Sequence, residues 1–135
     1  MSYGPSSALQ AAIYQRLTGD AALAALVGGG IYDSVPPGDT TGTYVAIGAE
    51  EVRDASTKTG RGAVHELSVT VVTDEAGFTA AKTVAGAVSD ALTGASLVLA
   101  RGRLVGIWFL RAVARRDGDG TRRRIDLVFR ARTED

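Results

Sequence analysis

One histidine, two adjacent glutamates, several glycine-rich runs and a crowd of arginines near the C-terminus are the groups in this sequence that could do chemistry. His65 is followed by Glu66, but in a strand the two point to opposite faces, and with no cysteine and no second histidine neither a zinc site nor a triad can be built around them. A structural or solvent-facing histidine is expected. Glu50 and Glu51 also face opposite ways in a strand, which rules them out as a paired acid and base. Gly28-Gly29-Gly30 follows an apolar helical pattern and is not followed by Lys-Ser/Thr, so it reads as a helix terminator, not a phosphate cradle. Thr59-Gly60-Arg61-Gly62 matches an anion loop weakly, with no helix behind it. Asp117-Gly118-Asp119-Gly120 has two carboxylates at calcium-loop spacing, yet Arg122-Arg123-Arg124 stands where the ligand set should be completed. A hairpin turn fits it better. Neither a catalytic constellation, nor a cofactor site, nor a metal site emerges.

The arginines are the feature that exceeds background. Over 135 residues the 15 basic and 15 acidic side chains cancel, but unevenly. Residues 1–100 carry five Lys/Arg against ten Asp/Glu, whereas residues 101–135 carry ten Arg against five acids. The chain is electrically two-ended.

The elements that must position these charges follow from periodicity. Leu9, Ile13 and Leu17 mark an amphipathic helix with Ser6 or Ser7 as its cap and Gly19 at its end. Asp20 caps a shorter helical segment, Ala21 to Val27, and Ile31 to Thr43, with Pro36-Pro37-Gly38-Asp39, reads as a surface loop. Tyr44 to Val52 has strand composition, and from Val64 apolar and polar residues alternate. The polar stretch Arg53 to Gly62 between them is expected to be an exposed, mobile loop. A second main helix runs from about Glu75 to Leu92 with Gly94 at its end, while Leu97-Val98-Leu99 is too short to classify. Leu104 to Arg115 and Arg122 to Arg132 flank the Asp117–Gly120 turn as a C-terminal β-hairpin. Folded symmetrically, this hairpin sets Trp108 opposite Phe129, Leu110 opposite Leu127 and Ala112 opposite Ile125 on a core face, with Trp108 taken up by the core. The other face then holds Arg111, Arg115, Arg122, Arg124, Asp126 and Arg130, with Arg111 across from Asp126. The predicted class is α+β: one domain over residues 1–135, with a mostly antiparallel sheet of four or more strands covered on one face by two main helices. No stretch is long and apolar enough for a membrane span, and Met1 to Pro5 lacks a secretory pattern, so no membrane partner is expected and synthesis in the cytoplasm is.

The order of motifs resembles one family. Ile31-Tyr32-Asp33-x-Val35-Pro36, Tyr44-Val45-x-Ile47-Gly48, Arg53-Asp54-x-Ser56-Thr57-Lys58-Thr59-Gly60, His65-Glu66-Leu67 and Arg115-Arg116-Asp117-x-Asp119-Gly120 together are similar to the tail-completion, or tail-terminator, proteins of long-tailed phages and gene transfer agents. The resemblance implies a structural particle protein, not an enzyme and without a cofactor. It implies a homo-hexameric ring on the head-proximal end of the tail tube, which stops tube polymerisation and presents the joining surface to the head–tail connector protein. On that reading the arginine face (Arg111, Arg115, Arg122, Arg124, Arg130, with Asp126) either meets acids such as Asp33, Asp39, Glu50 or Glu51 of a neighbouring copy or lines the lumen through which DNA passes without sequence-specific binding. The loop residues Arg53, Asp54, Ser56, Thr57, Lys58, Thr59 and Arg61 are the candidates for touching the tail tube protein or the connector, becoming ordered on docking. The alternative from the residues themselves is a small nucleic-acid-binding module using the arginine-rich hairpin.

Overall fold

The computed structural model describes residues 3–34, 41–118 and 120–135, without the side chain of Asp117. Asp39, Asp119 and the Pro36-Pro37-Gly38 segment lie outside the described residues. In chain order the elements are α1 (Ser6–Thr18), α2 (Ala21–Val27), β1 (Ile31–Tyr32), β2 (Tyr44–Asp54), β3 (Gly62–Thr73), α3 (Thr79–Leu92), β4 (Arg103–Asp117) and β5 (Arg122–Glu134). The five strands form one sheet in the order β1-β2-β3-β5-β4. β1 runs parallel to β2, and the remaining neighbours are antiparallel, so the sheet is mixed but mostly antiparallel.

Local chemistry explains most of the boundaries. Asp20 accepts the Leu23 N–H at 3.0 Å and starts α2. Gly19 closes α1, its N–H bonded to the Gln15 carbonyl. The start of α1 differs from expectation: Pro5 occupies the cap position, and the Ser6 hydroxyl donates instead to Glu50 at 2.6 Å, far away in sequence. α3 begins four residues later than its periodicity suggests because Gly77 adopts φ +75°, a left-handed turn that a helix cannot include. Residues 97–99 form neither helix nor strand; Leu99 is buried and Val98 stands out in solvent.

The core lies between one sheet face and the helices. Leu9, Ile13 and Leu17 of α1 share a cluster with Val84, Val88 and Leu92 of α3 and with Val69, Leu127 and Phe129 of the sheet. Arg16 ties the helices together, donating from Nε to the Ala91 carbonyl at 2.9 Å.

The register of β4 on β5 corrects the symmetric folding. The turn is centred one residue later, so Asp117 faces Arg122 and Ala112 faces Leu127, and two bulges then shift the pairing, between Phe109 and Arg111 and between Leu104 and Gly106. Phe109, not Trp108, therefore lies opposite Phe129, with ring centroids 6.0 Å apart and nearly perpendicular. Trp108 lies opposite Arg130, on the face away from the helices, and is 41% exposed. Leu110 falls in a bulge instead of facing Leu127, and Arg111 lies across from Val128 instead of Asp126. The physical reason is that Ile107 to Leu110 is apolar at every position, so side-chain alternation does not oppose a shift there.

This register has a measurable consequence. Phe129→Ala should lower the unfolding free energy by about 3–5 kcal/mol in chemical denaturation, whereas Trp108→Ala should cost less than about 1.5 kcal/mol, because its ring is not in the core.

Candidate assembly surface

The sheet face away from the helices carries most of the expected arginines, but as part of a mixed-charge lattice. β5 alternates strictly, with Ile125, Leu127, Phe129, Ala131 and Thr133 buried and Arg124, Asp126, Arg130 and Arg132 on the other side. Asp126 is the hub at one end: Arg124 lies 3.0 Å and Arg115 3.5 Å from its carboxylate, and the Thr70 hydroxyl donates to it at 2.8 Å. Glu66 is the hub at the other, 2.7 Å from Arg53 and 3.5 Å from Arg130. Each such surface pair contributes little to stability, but together they fix where the guanidinium groups point and cancel much of their charge. Arg111 and Arg116 have no ion-pair partner among the described residues, and Arg122 sits at the start of β5 beside the turn. The structure thus brings Arg115, Arg124 and Asp126 together, with Arg111 lining the same concavity without an ion pair among the described residues, and joins Arg130 and Arg53 through Glu66.

β4 is the outermost strand of the sheet and carries what the residue patterns missed. Val105, Trp108, Phe109, Leu110 and Val113 are all more than a third exposed, forming an apolar strip along a 15-residue edge. Among the described residues the segment 93–97 lies beside the first half of β4, where the Gly94 N–H donates to the Ile107 carbonyl at 2.7 Å. Between this edge and the small residues Ala85, Gly86 and Ser89 of α3 runs a shallow apolar groove of about 250 Å³. The signal in the sequence was the unbroken apolar run Ile107 to Leu110, which serves two faces and an edge at once.

The Arg53–Gly62 segment is not the loose loop expected. β2 and β3 extend into it, and it narrows in two tiers, with Ala55 N–H to the Gly62 carbonyl at 2.9 Å and Thr57 N–H to the Gly60 carbonyl at 2.9 Å. Ser56 Oγ donates to Asp54 at 2.7 Å and accepts from the Gly62 N–H at 3.2 Å. A side chain at Gly62 would come within 2.8 Å of the Ala55 carbonyl oxygen, so glycine is required by close approach. The C-terminal strand straps the loop down: Arg132 donates to the Ala55 carbonyl, and the Asp135 N–H to the Arg61 carbonyl at 3.0 Å. Lys58, Thr59 and Arg61 remain exposed at its tip.

His65 is structural. Its ring is fully buried, with Nδ1 3.2 Å from Glu50 and Nε2 2.9 Å from the Thr133 hydroxyl. With a proton on Nδ1 the ring donates to the Glu50 carboxylate, while Nε2 shares a hydrogen bond with the Thr133 hydroxyl. The β2 bulge between Ile47 and Glu50 makes this possible by turning Glu50 to the helix side. Within the subunit Glu50 is held by Ser6, His65 and Tyr3. Burial alone would raise the Glu50 carboxyl, but the hydrogen bonds from His65 and Ser6, the attraction of His65 and the Tyr3 hydroxyl together hold it below the ordinary value. Asp54 is also lowered, chiefly by the Ser56 hydroxyl. Among the described residues no group of three or more metal-ligating side chains occurs, and no helix is long and apolar enough to cross a membrane.

The described residues thus form a mixed sheet backed by helices, with a paired-charge face and an exposed apolar edge strand. The model of the family described as tail completion protein gp17 matches residues 11–134, and the chain belongs to that family, making it a structural tail protein. Among solved structures it is similar to a chain in the virion of a native gene transfer agent particle, at 64% identity and a TM-score of 0.93 over 99% of this chain and 100% of that one. Among curated proteins, no sequence matches.

The Glu50 network has a definite pH sign. A carboxyl lowered on folding contributes stability above its unfolded value of about 4.5, and that contribution is lost as pH falls through the folded value. Unfolding free energy should decline below pH about 4.5, and Glu50→Gln should flatten part of that decline while lowering stability at pH 7.

Proposed function

We propose that this protein is the tail terminator of a gene-transfer-agent or phage-like particle, a ring of six copies seated on the head-proximal end of the tail tube. There it ends tube polymerisation and presents the surface that the head–tail connector protein joins. The observation that carries this reading is the near-identical fold and 64% identity, over essentially the whole length, to a chain of a gene transfer agent virion. One unit spanning residues 1–135 makes the subunit, synthesised in the cytoplasm and then incorporated into the particle tail.

Within the ring, the face holding Arg115, Arg124, Arg130 and Asp126 borders the path of the DNA. Glu66 and Asp126 interleave with the arginines and keep that face from becoming a strong phosphate trap, which suits a duplex that must pass. The same neutralisation disfavours a free-standing nucleic-acid-binding module. The stapled loop offers Lys58, Thr59 and Arg61 as a preformed contact for the tail tube protein or the connector, with Arg53, Asp54, Ser56 and Thr57 forming its base.

Deleting the gene should yield tails of uncontrolled length and heads without tails in electron micrographs. Native mass measurement of the protein bound at tube ends should show a ring of about 83 kDa, six copies of 13.9 kDa. Tails of normal length, joined to heads in the absence of the protein, would defeat the reading.

A further inference from the structure

The ring proposed above needs two different, complementary surfaces on one subunit, and the inference here rests on that reading. We infer that the exposed edge of β4 docks into the groove beside α1, at the β1 end of the sheet, on the next copy. The strand order puts β4 and β1 at opposite edges. A contact between opposite edges is heterologous and propagates around a closed ring, whereas β4 against β4 would be isologous and stop at two copies.

The donor surface is Trp108, Arg111 and Val113, which stand on the outer face of the β4 edge, with Leu110 at the bulge between them. Such an apolar edge is costly to leave in water on a 15-residue strand. Phosphate does not account for these side chains; an apolar partner does. The acceptor is an open groove of about 430 Å³, where Tyr3, Gln10, Tyr14 and Asp33 supply two aromatic rings, an amide and an acid. Charge matches across the two: Arg111 has no ion-pair partner, and the Asp33 carboxylate has none either, its backbone carbonyl alone accepting from Gln10 at 3.3 Å. Both statements hold among the described residues. β1 is two residues long and the β4 edge is interrupted by two bulges, so side chains make this contact and no continuous strand ladder crosses it.

The chain has no cysteine, which makes the test direct. Particles carrying Gln10→Cys together with Leu110→Cys, purified and oxidised, should give a non-reducing ladder rising to six copies, and each single variant should stay monomeric on the gel. Dimers from Leu110→Cys alone would overturn the proposal in favour of a β4–β4 contact. A six-membered ring seen by microscopy without the ladder would overturn it while leaving the ring intact; no ring at all would remove both readings.

Charge reversal supplies the second arm. Arg111→Asp and Asp33→Arg should each reduce incorporation into particles about tenfold or more, with unchanged melting of the free protein, and the double reversal should restore it. Single reversals that assemble normally would overturn the proposed contact.

Discussion

The alternation of β5 is the constraint on which the rest of the molecule depends. It pairs with β3 over twelve consecutive positions and with β4 on its other side, and every second residue from Ile125 to Thr133 is sealed against the core. A slip by one residue would bury Arg124, Asp126, Arg130 and Arg132 and expose Phe129, exchanging transfer free energy for several unpaired buried charges. That penalty fixes the register. The register in turn sets Thr133 beneath His65, Asp126 between two arginines, and Phe109 on Phe129.

From this single strand the character of the surface follows. Its outward face is tied by Glu66 and Asp126 into short pairs, so the excess charge of the C-terminal third becomes a patterned surface. Its neighbour β4 escapes strict alternation through two bulges, which turn Trp108 to the solvent face and push Val105 and Leu110 out at the edge. An exposed apolar edge of this length invites association, and the ring proposed above would use it in a contact that closes instead of growing.

Much of this was readable from residue order, and the failures have physical causes. Leu9, Ile13 and Leu17 announced α1, Asp20 its successor, and the alternation after Val64 the third strand, because each signal is local and unopposed. Ser6 misled because its hydroxyl is claimed by Glu50 from 44 positions away, a long-range partner that no cap rule contains. Glu50 misled for the related reason that a bulge reverses which face it occupies. The loop after Asp54 read as mobile from composition, yet its backbone pairs internally and is held by Arg132 and Asp135 from the far end of the chain. The arginine face was legible as a pattern, but its pairing was not: a one-residue shift of the turn centre moves each partner by two, so that Asp126 pairs with Arg115 and Arg111 makes no ion pair with it.

The proposed place of this subunit is the end of the tail tube, beneath the head. Labelling the protein on purified particles and locating the label by electron microscopy tests that most directly. A terminator places one compact cluster of label at the junction of head and tail on every particle. Label distributed along the tube, at the distal tip or over the head would contradict it.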